Sequence, residues 1–321
     1  MDGAANMDNN DEVDAGPEIA AAAAAAAAVI VDEAEIEENE LKLTSLLERK
    51  KELPLRTRNA LNGLVKELLS RTKDDIHDMI CDQNEENYQG LDSDRDTEAE
   101  VETALRFFPE VIPLLKDNLY PIQRLCRFSD FKCNVKAVSF VSILARVAIE
   151  SHSFGEHERG GLLIEGVRFG FPSTLCQLVD SSPQGYDDEH DQLVDNLFLW
   201  LLVQLRQMGL LTIKDIQEYN LTYYVLYNKV LAENRLRFLI QWDPTSLIHI
   251  PIHYVSTDRT IREFQFIFEY VIRYYPNKKG VTILFKKSKN YDNTHFQVAC
   301  TSYGREKVME VVNDILARYH S

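Results

Sequence analysis

Thr294-His-Phe-Gln-Val-Ala299, with Gly304-Arg-Glu-Lys-Val-Met-Glu-Val-Val312 shortly behind it, joins a turn-forming start to a glutamine set among apolar residues. A glycine and an amphipathic run through Val308, Val311, Val312 and Ile315 complete the unit. The short pattern recurs as Tyr120-Pro-Ile-Gln-Arg-Leu125, Thr174-Leu-Cys-Gln-Leu-Val179 and Ile250-Pro-Ile-His-Tyr-Val255. Its defining positions are Pro121 and Gln123, Thr174 and Gln177, Pro251 and His253, and Thr294, Gln297 and Gly304. Proline in a first helical turn gives up only an N–H that has no partner within the helix. A Gln or His just inside can bond the backbone of a neighbouring turn. An amphipathic helical pattern follows each copy. The expectation is an all-α fold built as an irregular helical repeat stack.

Working outward, helix signals dominate residues 104–321 and strand signals are weak. Val135, Val138, Val141, Leu144 and Val147 follow Asn134 at helical spacing. The apolar run 191–208 predicts a long helix ending at Gly209. Thr260 with Glu263 predicts a capping box for Phe264, Ile267, Phe268 and Val271. Upstream, Leu43, Leu46, Leu47, Leu61, Leu64, Val65, Leu68 and Leu69 predict an amphipathic helical segment over 41–75, broken near Pro54. The alternating Asp92, Asp94, Asp96, Glu98, Glu100 and Glu102 read as part of an acidic linker over 76–103.

The chain has 321 residues and a formal net charge of −16. Residues 1–40 hold 12 acidic residues and no Lys or Arg. They read as a disordered acidic, alanine-rich tail. The near balance of the remainder argues against a general nucleic-acid or anionic-membrane binder. The longest apolar run, Ile19 to Val31, is too short to span a bilayer, and acidic residues precede it. Cys81, Cys126, Cys133, Cys176 and Cys300 are scattered and form no CxxC pair. They read as reduced thiols of an intracellular protein, cytoplasmic or nuclear.

The repeated motif resembles the TPLHxA signature of the ankyrin repeat. Pro251-Ile252-His253 keeps its P-L-H core, and Gly304 followed by paired valines resembles the opening of the ankyrin second helix. From about Leu61 onward the chain also resembles an expanded family of uncharacterised diatom proteins with degenerate ankyrin-like repeats. The blocks that carry this resemblance include Gly90-Leu-Asp-Ser-Asp-Arg-Asp-Thr97, Arg106-Phe-Phe-Pro-Glu-Val111, Glu158-Arg-Gly-Gly-Leu-Leu163 and Trp242-Asp-Pro-Thr245. The resemblance implies a helical-repeat fold and no particular activity.

No Gly-rich phosphate loop, GxSxG elbow or HExxH pair occurs, so no catalytic residue, cofactor or metal is expected. Glu158-Arg-Gly-Gly reads as a turn. His152, His157 and Glu158 do not match metal-ligand spacing. The acidic group Asp187, Asp188, Glu189, Asp191 and Asp195 reads as a solubilising insertion. Trp200 and Trp242 read as core residues. The aromatics Phe264, Phe266, Phe268, Tyr270, Tyr274 and Tyr275 are too many for one helix face, so part of the set is expected to be exposed and to form a contact surface.

The leading expectation is a non-enzymatic protein-interaction scaffold with a protein partner. Two alternatives stand beside it. One is a small-ligand binder or enzyme whose site assembles from distant residues. The other is a nucleic-acid-associated protein using the basic stretch Lys278, Lys279, Lys286, Lys287 and Lys289.

Overall fold

A computed structural model describes residues 36–82, 90–126, 135–165, 173–180, 188–227, 231–248, 261–287 and 293–319. These residues are all-helical, with two isolated antiparallel bridges and no strand among them. No helix among them is long and apolar enough to cross a membrane. The chain divides into two compact units, residues 1–70 and 71–321.

In the first unit, helix α1 covers residues 36–48 and α2 begins at Leu55. A 3₁₀ turn, Lys50–Glu52, and Pro54 separate them, because proline cannot continue the preceding helical turn. The break expected near Pro54 is therefore present. Residues 36–40, read as part of the tail, instead open α1. The rest of the tail lies outside the described residues.

Helix α2 runs to Cys81, beyond the boundary expected at 75, and Ile80 and Cys81 at its end are fully buried. The span read as an acidic linker is thus structured at both ends. At its other end, Thr97 caps helix α3, Glu98–Phe107, in a reciprocal box. Its hydroxyl accepts from Glu100 N–H, and Glu100 Oε2 accepts from Thr97 N–H at 2.8 Å. The acidic residues do not alternate in one conformation. Asp92 accepts from Asp94 N–H in a turn, Glu98 and Glu100 favour the positive helix N-terminus, and Glu102 pairs with Arg146 at 2.7 Å.

The remaining helices are α4 Pro121–Leu125, α5 Val141–Glu150, α6 Thr174–Asp180, α7 Asp188–Gln207, α8 Ile213–Glu218, α9 Leu221–Tyr227 and α10 Glu233–Trp242. After them come α11 Ile261–Tyr274, α12 Lys278–Leu284, α13 His295–Tyr303 and α14 Arg305–Tyr319. Two successions of packing run through the first group. Helix α4 packs on α6 and α6 on α9, while α3 packs on α5, α5 on α7 and α7 on α10. In the C-terminal group α11 and α13 both pack on α14. The continuous core includes Ile122, Leu144, Leu178, Leu201, Leu236, Phe268 and Ile315. Each of these side chains contributes about 1.5–3 kcal/mol by leaving water.

Helix α7 ends as its sequence predicts. Gly209 has φ +72°, Leu210 N–H bonds Leu205 C=O at 2.8 Å, and Gly209 N–H bonds Arg206 C=O at 3.0 Å. This is the two-bond Schellman closure. Thr260, Asn134 and Cys133 lie outside the described residues.

Candidate interaction surface

The motif residues are structural pieces that join successive helices. In the first copy Pro121 opens α4, and Gln123 Oε1 accepts from Tyr120 N–H at 3.1 Å. Gln123 is fully buried, and its Nε2 donates to Glu165 C=O at 3.1 Å, in the loop ahead of α6. In the fourth copy Thr294 caps α13, and Gln297 Oε1 accepts from Thr294 N–H at 2.8 Å. Gln297 is exposed. Gly304, at φ +85°, separates α13 from α14, as expected from the sequence. Antiparallel bridges precede both copies, Lys116 with Leu119 and Lys287 with Thr294.

The second copy is shifted by one residue from its expected register. Ser173, not Thr174, is the cap: its Oγ accepts from Cys176 N–H at 3.3 Å, and Thr174 is the first helical residue. Gln177 is buried one position further along. The place of Gln123 is taken by Cys176, whose Sγ donates to Tyr219 C=O at 3.8 Å, just ahead of α9. Burial pushes this thiol up to about 12. Such a thiol stays protonated and acts as a donor rather than a nucleophile. Sequence reading did not single out α9 as the helix that follows this contact. Asn220, in the left-handed region at φ +50° just before Leu221, was the available signal. Pro251 and His253 of the third copy lie outside the described residues.

Charged latches hold the turns. Arg159 reaches Asp215 at 2.5 Å, and the same carboxylate oxygen accepts from Thr212 N–H at 2.6 Å. Glu158-Arg-Gly-Gly, read as a turn, lies in a 3₁₀ helix, Glu156–Gly161, kinked at Arg159 and Gly160, and Gly160 sits so close to α5 that an added Cβ would clash with Ala145 C=O. Asp195, read as part of a solubilising insertion, is buried and paired with buried Arg235 at 2.8 Å. A short acidic run misleads here, because one of its members points inward along α7. Asp188 is the first residue of that helix. Asp187 lies outside the described residues.

The exposed apolar surface is not where the aromatic run suggested. Phe264, Phe268, Tyr270 and Tyr275 are buried, and Phe266 and Tyr274 are half-buried. Phe266 packs against Tyr270 at 4.9 Å and beneath the Arg237 guanidinium of α10. Trp242 is half-buried, with the Arg206 guanidinium 4.3 Å from its ring centroid. Trp200, expected in the core, is 41% exposed. It forms a stripe with Leu193 (53% exposed) and Leu197 at i, i+4 and i+7 of α7. That stripe faces the turn Asp94-Arg95-Asp96 across an open depression of about 570 Å³ floored by Phe140.

The acidic side of this depression is ordered. Asp94 and Asp92 pair with Lys136 at 2.9 and 3.3 Å, and Arg95 Nη2 donates to Gly90 C=O at 2.6 Å. The backbone N–H of Asp94, followed by Lys136, holds the Asp92 carboxyl below the usual range. Asp94 stays exposed at the rim. Elsewhere Lys278, Lys279, Lys286 and Lys287 are exposed, with Lys279 over the Tyr275 ring at 4.9 Å, while Lys289 lies outside the described residues. No group of three or more metal-ligating side chains occurs among the described residues.

A scan of protein-family models, a search of curated proteins and a search of solved structures return no match to this chain.

Proposed function

We propose that the chain is a non-enzymatic protein-interaction scaffold, an irregular ankyrin-like stack of the kind suggested by its resemblance to the diatom repeat family. The observation that carries this reading is a repeated interlock. Gln123 bonds the backbone 42 residues ahead, and Cys176 bonds the backbone 43 residues ahead. Each therefore ties the start of one short helix to the turn before the next. Neighbour-to-neighbour packing of α4, α6 and α9 supports the same reading. Helix pairs stacked this way present extended surface, and function in such folds is recognition along that surface.

The binding face in this proposal is the Leu193–Leu197–Trp200 stripe with its acidic rim. An amphipathic tryptophan held on a rigid helix is a typical energetic anchor of protein contacts. Affinity capture with the full chain, beside a Leu193→Glu/Trp200→Glu chain, tests it. The expected result is a saturable protein partner that survives high salt and is lost from the variant. Capture of nucleic acid alone, and only at low salt, would transfer the function to the lysine stretch. No capture by a folded bait would overturn the scaffold reading.

A further inference from the structure

The first unit, residues 1–70, carries an apolar surface of its own that the scaffold reading does not use. In α1, Leu43, Leu46 and Leu47 are exposed. In α2, Leu64 and Leu68 are exposed at 65% and 55% and, four residues apart, lie on one face of the helix. Leu43, Leu46 and Leu47 share one face of α1, since residues three and four apart are neighbours on a helix. Monomeric proteins seldom leave leucines grouped in this way in water. A helix as short as α1 is also marginal unless an apolar face is packed.

The charges on the two helices are opposite. Helix α1 carries Glu37, Glu38, Glu40 and Glu48 against Lys42, with Lys42 paired to Glu38. The stretch of α2 within this unit carries Arg56, Arg58 and Lys66 against Glu67, and Arg49, Lys50 and Lys51 precede it with Glu52, which pairs with Arg49 at 2.7 Å. A surface holding one acidic and one basic leucine-bearing helix is complementary to itself under two-fold symmetry.

We infer that the occupant of this surface is a second copy of the same chain. Helix α1 of one copy docks on α2 of the partner, and the reverse contact forms at the same time. Four amphipathic helices then bury the leucines that two leave exposed, with each acidic helix beside a basic one. This homodimer is independent of the scaffold reading: it uses other residues and is read from mass rather than from partner capture.

Sedimentation velocity of the purified full chain, from about 1 to ~100 μM, tests it. The expected result is a concentration-dependent dimer whose dissociation constant rises about tenfold or more in high salt. Leu46→Glu with Leu64→Glu should give a monomer with unchanged thermal unfolding of the rest of the chain, since both side chains are exposed. The decisive arm is a charge exchange. Glu37→Lys/Glu40→Lys and Arg56→Glu/Lys66→Glu should each be monomeric alone and form a mixed dimer when combined. A monomer at every concentration overturns the inference. So does a dimer that ignores all of these substitutions. So does a monomeric chain that instead binds phosphatidylcholine–phosphatidylserine vesicles through these leucines.

Discussion

Gln123 shows how a single side chain can join two segments distant in sequence. Its carbonyl oxygen satisfies the N–H of Tyr120, a donor left over at the start of α4, and its amide reaches Glu165 C=O. Removing it leaves two backbone groups without partners and a small cavity. Gln123→Ala should therefore cost about 2–4 kcal/mol in denaturant unfolding. The exposed Gln297→Ala should cost under about 1 kcal/mol, since water replaces the lost bond. Equal costs at the two sites would contradict the interlock. Gly160 makes a sharper case. Its φ of +64° and the Ala145 backbone lying where a Cβ would sit leave no room for a methyl group, so Gly160→Ala should be among the most damaging single substitutions in the chain. Gly304, also at positive φ, has no heavy atom near its Cβ position. Gly304→Ala should cost only the conformational strain, about 1 kcal/mol.

At the scale of elements, the legible features were those set by local chemistry. The Schellman end of α7 at Gly209 and the break at Pro54 depend on residues adjacent in sequence, so sequence periodicity and turn chemistry locate them. The shift of the second copy was not legible. Ser173 and Thr174 are both competent caps, and nothing adjacent in sequence selects Ser173. The inward turn of Asp195 was hidden for a similar reason: Arg235, its partner, lies 40 residues away on α10. Trp200 misled in the opposite sense, because an apolar run such as Leu197-Phe-Leu-Trp-Leu-Leu202 must leave one side of a packed helix in water. Gly63 in α2 supplies an element-scale prediction. Its Cβ position meets nothing within 4 Å, so Gly63→Ala should raise helix stability by up to about 1 kcal/mol, seen as a gain in helical circular dichroism or melting temperature. A loss would show that this position is packed.

For the whole molecule, Asp180 at the end of α6 couples stability to pH. Burial, opposed by Arg235, pushes its carboxyl up to about 7 from an ordinary value of 3.8. The folded chain thus holds this proton more tightly than the unfolded chain. Its contribution to stability is fully present below about pH 4, falls as pH rises, and levels off above about pH 7. The wild-type chain should lose up to a few kcal/mol relative to Asp180→Asn between these limits. Denaturant melts of both proteins from pH 5 to 8 check this, and parallel curves would contradict it. In the proposed stack, stability is shared mainly between neighbours, as in a one-dimensional array. Amide hydrogen exchange of the full chain, with and without Ile315→Ala in the core of α14, tests that claim most directly. The stacked account predicts faster exchange across α11–α14 and unchanged protection in α3–α6. Uniform loosening from α3 to α14 would contradict it and mark a single cooperative globule.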